Sequence, residues 1–171
     1  ASLFPAVALA HDRRTVRKYT FLVGFLNEPT YQGQPNGLDL TITYASGAPV
    51  EGAENTLKVG IAYGGSAAKD LPIRAREGLK GQYTADVIPT KVGTYSFVFS
   101  GTINGDAINE TFESGPSTFD DVESTAPLEY PSSTDASSQS GAAPVTDAAV
   151  QRATLLGGAG IAVGLIGIVL G

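Results

Sequence analysis

Residues 89–112 read PTKVGTYSFVFSGTINGDAINETF, and the fold is decided in this stretch. Tyr95, Phe97 and Phe99 recur at every second position, which places them on one face of an extended strand. Asn104-Gly105 then supplies two residue types that tolerate positive φ, as both central positions of a type I′ hairpin require. The turn should join a strand over Tyr95–Ile103 to one over Ala107–Phe112. Just upstream, Gly93-Thr94-Tyr95 sets a tyrosine at the start of the strand. There its hydroxyl can bond back to backbone a few residues earlier, while Phe97 points into the core.

Working outward, the same period of two recurs. Tyr19, Phe21, Val23 and Phe25 share a face, as do Leu38, Leu40, Ile42 and Tyr44, and then Leu57, Val59, Ile61 and Tyr63. Tyr83, Ala85 and Val87 add another strand, and Leu71–Arg76 reads as a short edge strand because Pro72 has no N–H for a central ladder. The runs are separated by breakers, among them Gln34-Pro35-Asn36-Gly37, Ser46-Gly47-Ala48-Pro49 and Gly78-Leu79-Lys80-Gly81. Short alternating strands in such number point to a mainly β chain, an antiparallel sandwich of immunoglobulin type. Phe97 stands where that fold usually carries a cysteine, and the chain has no tryptophan, so phenylalanine and tyrosine must fill the core.

The composition narrows the chemistry. Among 171 residues there is no cysteine, which excludes disulfides, thiol nucleophiles and thiolate metal sites. There is no methionine either, so the initiator is missing and the chain reads as processed or as lacking its start. ASLFPAVALA (1–10) is uncharged and ends in Ala8-Leu9-Ala10, a small-x-small pattern of export-signal cleavage. Either cleavage leaves His11 first, or it lies upstream of Ala1. Both readings put the body on the extracytoplasmic side. The net charge is −6, with nine acidic and no basic residues from Asp106 to Asp147, which argues against nucleic acid as a partner. The early basic cluster, Arg13, Arg14, Arg17 and Lys18, reads as a solvated strand end.

Beyond Glu123 the character changes. STAPLEYPSSTDASSQSGAAPVTDAAVQR (124–152, from Ser124 to Arg152) is rich in Ser, Ala, Thr and Pro and reads as a disordered tether. TLLGGAGIAVGLIGIVLG (154–171) has no charge, and its eighteen residues make roughly 27 Å of helix, close to the hydrocarbon thickness of a bilayer. Ala153, Gly157, Gly160, Gly164, Gly167 and Gly171 are spaced 4, 3, 4, 3, 4 and share one side of that helix. Between lipid-embedded helices, small residues let backbones approach, and van der Waals packing there drives association. The seam is therefore read as a helix-packing face. The partners it implies are integral membrane subunits and membrane lipid.

Catalytic signals are weak. A nucleophilic triad needs a base beside its nucleophile, and His11 is the single histidine. Asp120, Asp121 and Glu123 lack the spacing of a calcium loop and read as a solvated acidic exit, and Glu51 and Glu54 as turn carboxylates. No cofactor and no enzymatic activity are expected. The one metal candidate is His11: were it N-terminal, its amino group and imidazole would chelate copper, with Asp12 nearby.

Ala10-His11, the turn Gly47-Ala48-Pro49-Val50-Glu51-Gly52-Ala53, Gly81-Gln82-Tyr83-Thr84-Ala85, Pro89-Thr90 and Gly93-Thr94-Tyr95 together carry a family resemblance. From about Ala10 to Glu113 the chain resembles the bacterial copper-resistance C-like and YtkA-like immunoglobulin-fold proteins. The resemblance implies an exported sandwich, often membrane-tethered and tied to copper handling or oxidase assembly. It implies His11 as a copper ligand, while the further histidines and methionines of those proteins have no counterpart here.

The expected organisation is an N-terminal segment (1–14), an immunoglobulin-like sandwich (15–123), a linker (124–152) and a transmembrane helix (153–171). The expected function is that of a non-catalytic accessory subunit of a larger membrane complex, respiratory or photosynthetic, with the sandwich on its extracytoplasmic face. The alternative is a membrane-tethered copper-binding or copper-delivery protein using His11.

Overall fold

A computed structural model describes residues 11–132. The export-signal reading of 1–10, most of the linker and the seam residues Ala153, Gly157, Gly160, Gly164, Gly167 and Gly171 lie outside the described residues. Two units divide the chain at Pro127 and Leu128. In the second, Leu128 and Tyr130 are exposed. Among the described residues no helix is long and apolar enough to cross a membrane.

The first unit holds nine strands: β1 (Asp12–Val16), β2 (Tyr19–Phe25), β3 (Asn36–Tyr44), β4 (Leu57–Tyr63), β5 (Lys69–Leu71), β6 (Arg74–Ala75), β7 (Gln82–Val87), β8 (Tyr95–Ile103) and β9 (Asp106–Glu113). They form two antiparallel sheets, ordered β1-β2-β3-β7-β6 and β5-β4-β8-β9. Leaving β1 aside, this is the strand order of the immunoglobulin sandwich with an added edge strand on the second sheet.

Alternation explains the core. Tyr19, Phe21, Val23 and Phe25 of β2 face Phe97, Phe99 and Ile103 of β8, and all are buried. Two triads of rings fill the core in a chain without cysteine or tryptophan. Phe21, Phe99 and Phe112 meet with centroids 5.6 to 6.0 Å apart, and Phe25, Phe97 and Phe119 at 5.3 to 5.8 Å. Each triad takes a ring from both sheets. Burying one such side chain contributes about 1.5–3 kcal/mol, and aromatic geometry adds about 0.5–1.5 kcal/mol per pair.

Buried tyrosines tie strand to loop. Tyr95 donates its hydroxyl to Lys91 O and accepts from Lys91 N, both at 3.1 Å, the corner anticipated from the sequence. Tyr83 donates to Val50 O at 2.6 Å and accepts from Ala53 N at 3.2 Å, which fixes the turn before β4. Asn104 (φ 48) and Gly105 (φ 84) form the β8–β9 turn.

Three local readings change. The sandwich begins at Asp12, inside the stretch read as an N-terminal segment (1–14), because β1 pairs with β2 from Asp12↔Val23 to Val16↔Tyr19. Leu71–Arg76 is two edge strands in different sheets. β5 ends at Leu71 on β4, β6 starts at Arg74 on β7, and Pro72, unable to donate, lies at the crossing. The acidic exit is a lid as well: Phe119 and Val122 are buried, Val122 pairs with Gly93, and Asp121 accepts a hydrogen bond from the Ser114 hydroxyl.

The basic cluster gains a structural role. Arg14 of β1 and Arg17, in the turn just after it, reach the outer edge of β9, donating to Thr111 O at 2.9 Å and Ala107 O at 2.6 Å. The Arg14 guanidinium also sits 4.1 Å from the centroid of Phe112. Edge carbonyls that would otherwise recruit a foreign strand are thereby occupied.

Candidate functional site

His11 is the single sequence-predicted site residue within the described region. One residue before β1, it continues the β1–β2 register toward Gly24, which has no side chain to block its path, and Gly24 stands opposite Asp39 of β3. His11 Nε2 lies 3.2 Å from Asp39 Oδ2. The other carboxylate oxygen, Oδ1, accepts from Arg76 Nη1 at 3.2 Å, and Arg76 also approaches Gln82 Oε1 at 3.3 Å. All three side chains are partly exposed on the outer face of the first sheet. The arrangement is an imidazole–carboxylate–guanidinium chain. It can hold the histidine ring in one orientation through Nε2.

Copper fits these described residues poorly. One imidazole and one carboxylate are two donors, and the carboxylate is already shared with a guanidinium whose charge opposes a metal dication. Among the described residues no three His, Cys, Asp or Glu side chains gather as a metal ion would need. Chelation by an amino group on His11 depends on where the mature chain begins.

The remaining carboxylates are individually placed. Glu28 accepts from Phe25 N at 3.3 Å through Oε1, while its Oε2 is buried without a hydrogen-bond partner. Burial pushes its carboxyl up from the ordinary value, more than the hydrogen bond from Phe25 lowers it, and the charge of Asp120 raises it further. Asp106 takes Lys18 Nζ at 2.8 Å and the Tyr19 hydroxyl at 2.8 Å, and these two partners hold its carboxyl below the ordinary value. Glu51 pairs with Lys80 at 3.1 Å in the open. Glu54 has one buried oxygen without a hydrogen-bond partner. None of these converges with a nucleophile and a base on one point.

Sequence reasoning missed Asp39 as the partner of His11 and Arg76 as the partner of Asp39. A signal existed for the first: Asp39 lies between Leu38 and Leu40, so alternation aims it outward on a central strand. Arg76 could not be paired with it in advance, because the crossing at Pro72 brings β6 to that face.

No family model matches this chain, and no curated protein does. Among solved structures, the chain is similar to a DUF4426 family protein from Pseudomonas aeruginosa, with a TM-score of 0.48 and 12% identity, covering 67% of this chain and 98% of that one. It is similar as well to the Lin-41 filamin domain, with a TM-score of 0.38 and 11% identity over 59% of this chain and 91% of that one. The immunoglobulin strand order and the tyrosine corner are read from this chain's own pairings.

Proposed function

We propose that this protein is a non-catalytic accessory subunit of a larger membrane complex. A C-terminal helix docks it among other membrane helices, and its sandwich sits on the extracytoplasmic side. The observation that carries the reading is the 4-3-4-3-4 spacing of Ala153, Gly157, Gly160, Gly164, Gly167 and Gly171 along an uncharged stretch. A helix that only held a domain to lipid would gain nothing from such a seam. The sandwich supports the same reading, since the hydroxyls of Tyr19, Tyr83 and Tyr95 and the guanidinium groups of Arg14 and Arg17 are engaged in holding strands and loops together. A membrane-tethered copper-binding or copper-delivery role is the rival, and the feature it rests on is His11 as an amino-terminal residue after cleavage at Ala10.

Gentle solubilisation of the full chain from its native membrane, followed by native mass measurement, tests the proposal. The expected result is a co-purifying membrane subunit that is lost on Gly164→Leu while the sandwich keeps its thermal midpoint. A monomeric wild-type chain overturns it. Copper that binds stoichiometrically and is lost in His11→Ala would support the rival.

A further inference from the structure

The two long sides of the sandwich are not protected alike. On the β1–β9 side, Arg14 and Arg17 cover the edge carbonyls of β9. On the other side, β6 pairs with β7 only at Tyr83 and Thr84, so among the described residues no strand pairs with the outer edge of Asp86-Val87-Ile88. β5, three residues long, pairs only with β4 and leaves its own outer edge open. Two hollows of about 660 and 440 Å³ lie along this side and share Lys69, Val87 and Ile88. The first also takes in Leu26 and Leu71, and the second Tyr63 and Pro89. Ile88 is 53% exposed, high for a large apolar side chain.

The charges along the groove select among occupants. The chain carries a net charge of −6, yet Lys69 and Lys91 both line these hollows and neither makes an ion pair among the described residues. Lys91 rests on the Tyr63 ring at 5.2 Å. Asp86, the carboxylate lining the first hollow, is taken by Arg74 at 2.8 Å. An extended strand added here would bond to the unpaired edge of β7, bury alternate side chains against Val87, Ile88 and Leu71, and meet Lys69 and Lys91, which make no ion pair among the described residues.

We propose that the β5–β7 groove binds an extended acidic–apolar segment of another polypeptide, added as a strand to the open edge of β7. This goes beyond docking through the helix and does not depend on it. The test uses the full chain in mild detergent. The probes are a blocked seven-residue peptide alternating glutamate with leucine or valine, and its lysine-for-glutamate counterpart. The acidic peptide should bind saturably and at least tenfold more tightly than the basic one, and it should slow amide exchange at Asp86 and Ile88. Lys69→Glu with Lys91→Glu should reverse that preference, and Ile88→Asp should abolish binding while the thermal midpoint holds. Equal affinity for the two peptides, no saturable binding, or protection at other strands overturns the proposal. A dimer that forms without peptide and is lost in Ile88→Asp would give the groove to a second copy, and overturns it too.

Discussion

At the residue scale, small changes separate packing from polar contacts. Tyr95→Phe keeps the ring beside Phe25 and Tyr63 and removes the hydroxyl that serves both backbone groups of Lys91. Loss of about 1–2 kcal/mol is expected by chemical denaturation, from hydrogen bonding alone. Gly101 asks more: at φ 117 an added Cβ would overlap the Thr56 carbonyl oxygen, so Gly101→Ala should cost more than that hydroxyl does. Glu28 gives a pH signature. Its folded-state carboxyl is raised by burial, so the native state binds the proton more readily than the unfolded chain. Its contribution is fully present below the ordinary glutamate value and is lost as pH rises through the raised one. Glu28→Gln should therefore flatten the fall in stability just above pH 4.5, as thermal midpoints measured against pH would register; an unchanged slope would show that Glu28 is not responsible. Tyr95 could be read from sequence because the corner is local, within five residues. Glu28 could not, since its burial depends on residues near 120 closing over it.

Elements differ in how much of themselves they reveal. In β2, β3, β4 and β8 the large apolar residues recur at every second position because each strand packs one face against the opposite sheet. β1, with the sequence DRRTV, hides its identity because an edge strand is defended by charge, and charge reads as solvent. β5 and β6 hold three and two residues, too few to show a period. Their division between sheets follows from Pro72, of which the sequence showed only the edge position. If β1 closes the β9 edge as described, Arg14→Ala should cost about 1–2 kcal/mol, combining a carbonyl hydrogen bond and a cation–π contact. It should also speed amide exchange along β9 more than along β4. Equal exchange on both strands would assign Arg14 to the surface.

For the molecule as a whole, fold and function were legible to different degrees. The sandwich is written many times over, in every alternating strand, so errors in single elements left the architecture standing. Chemistry is written once, in His11; its partner Asp39 lies 28 positions along the chain, and Arg76, which binds that carboxylate, lies 65 positions from the histidine. The groove is written nowhere locally, since Lys69 and Lys91 come to line one hollow only through the packing of two sheets. The proposed docking through 153–171 is the reverse case: the small-residue spacing is plain in the sequence, and it carries the central claim. Because the chain has no cysteine, single cysteines can be placed along 153–171 without background. Crosslinking them to neighbouring subunits in native membranes reads the face directly. Cysteine at positions 157, 160, 164 and 167 should crosslink to a discrete partner, and cysteine at 155, 162 and 169, on the opposite side of the helix, should not. Crosslinking that is uniform around the helix, or absent at every position, would contradict a docked accessory subunit.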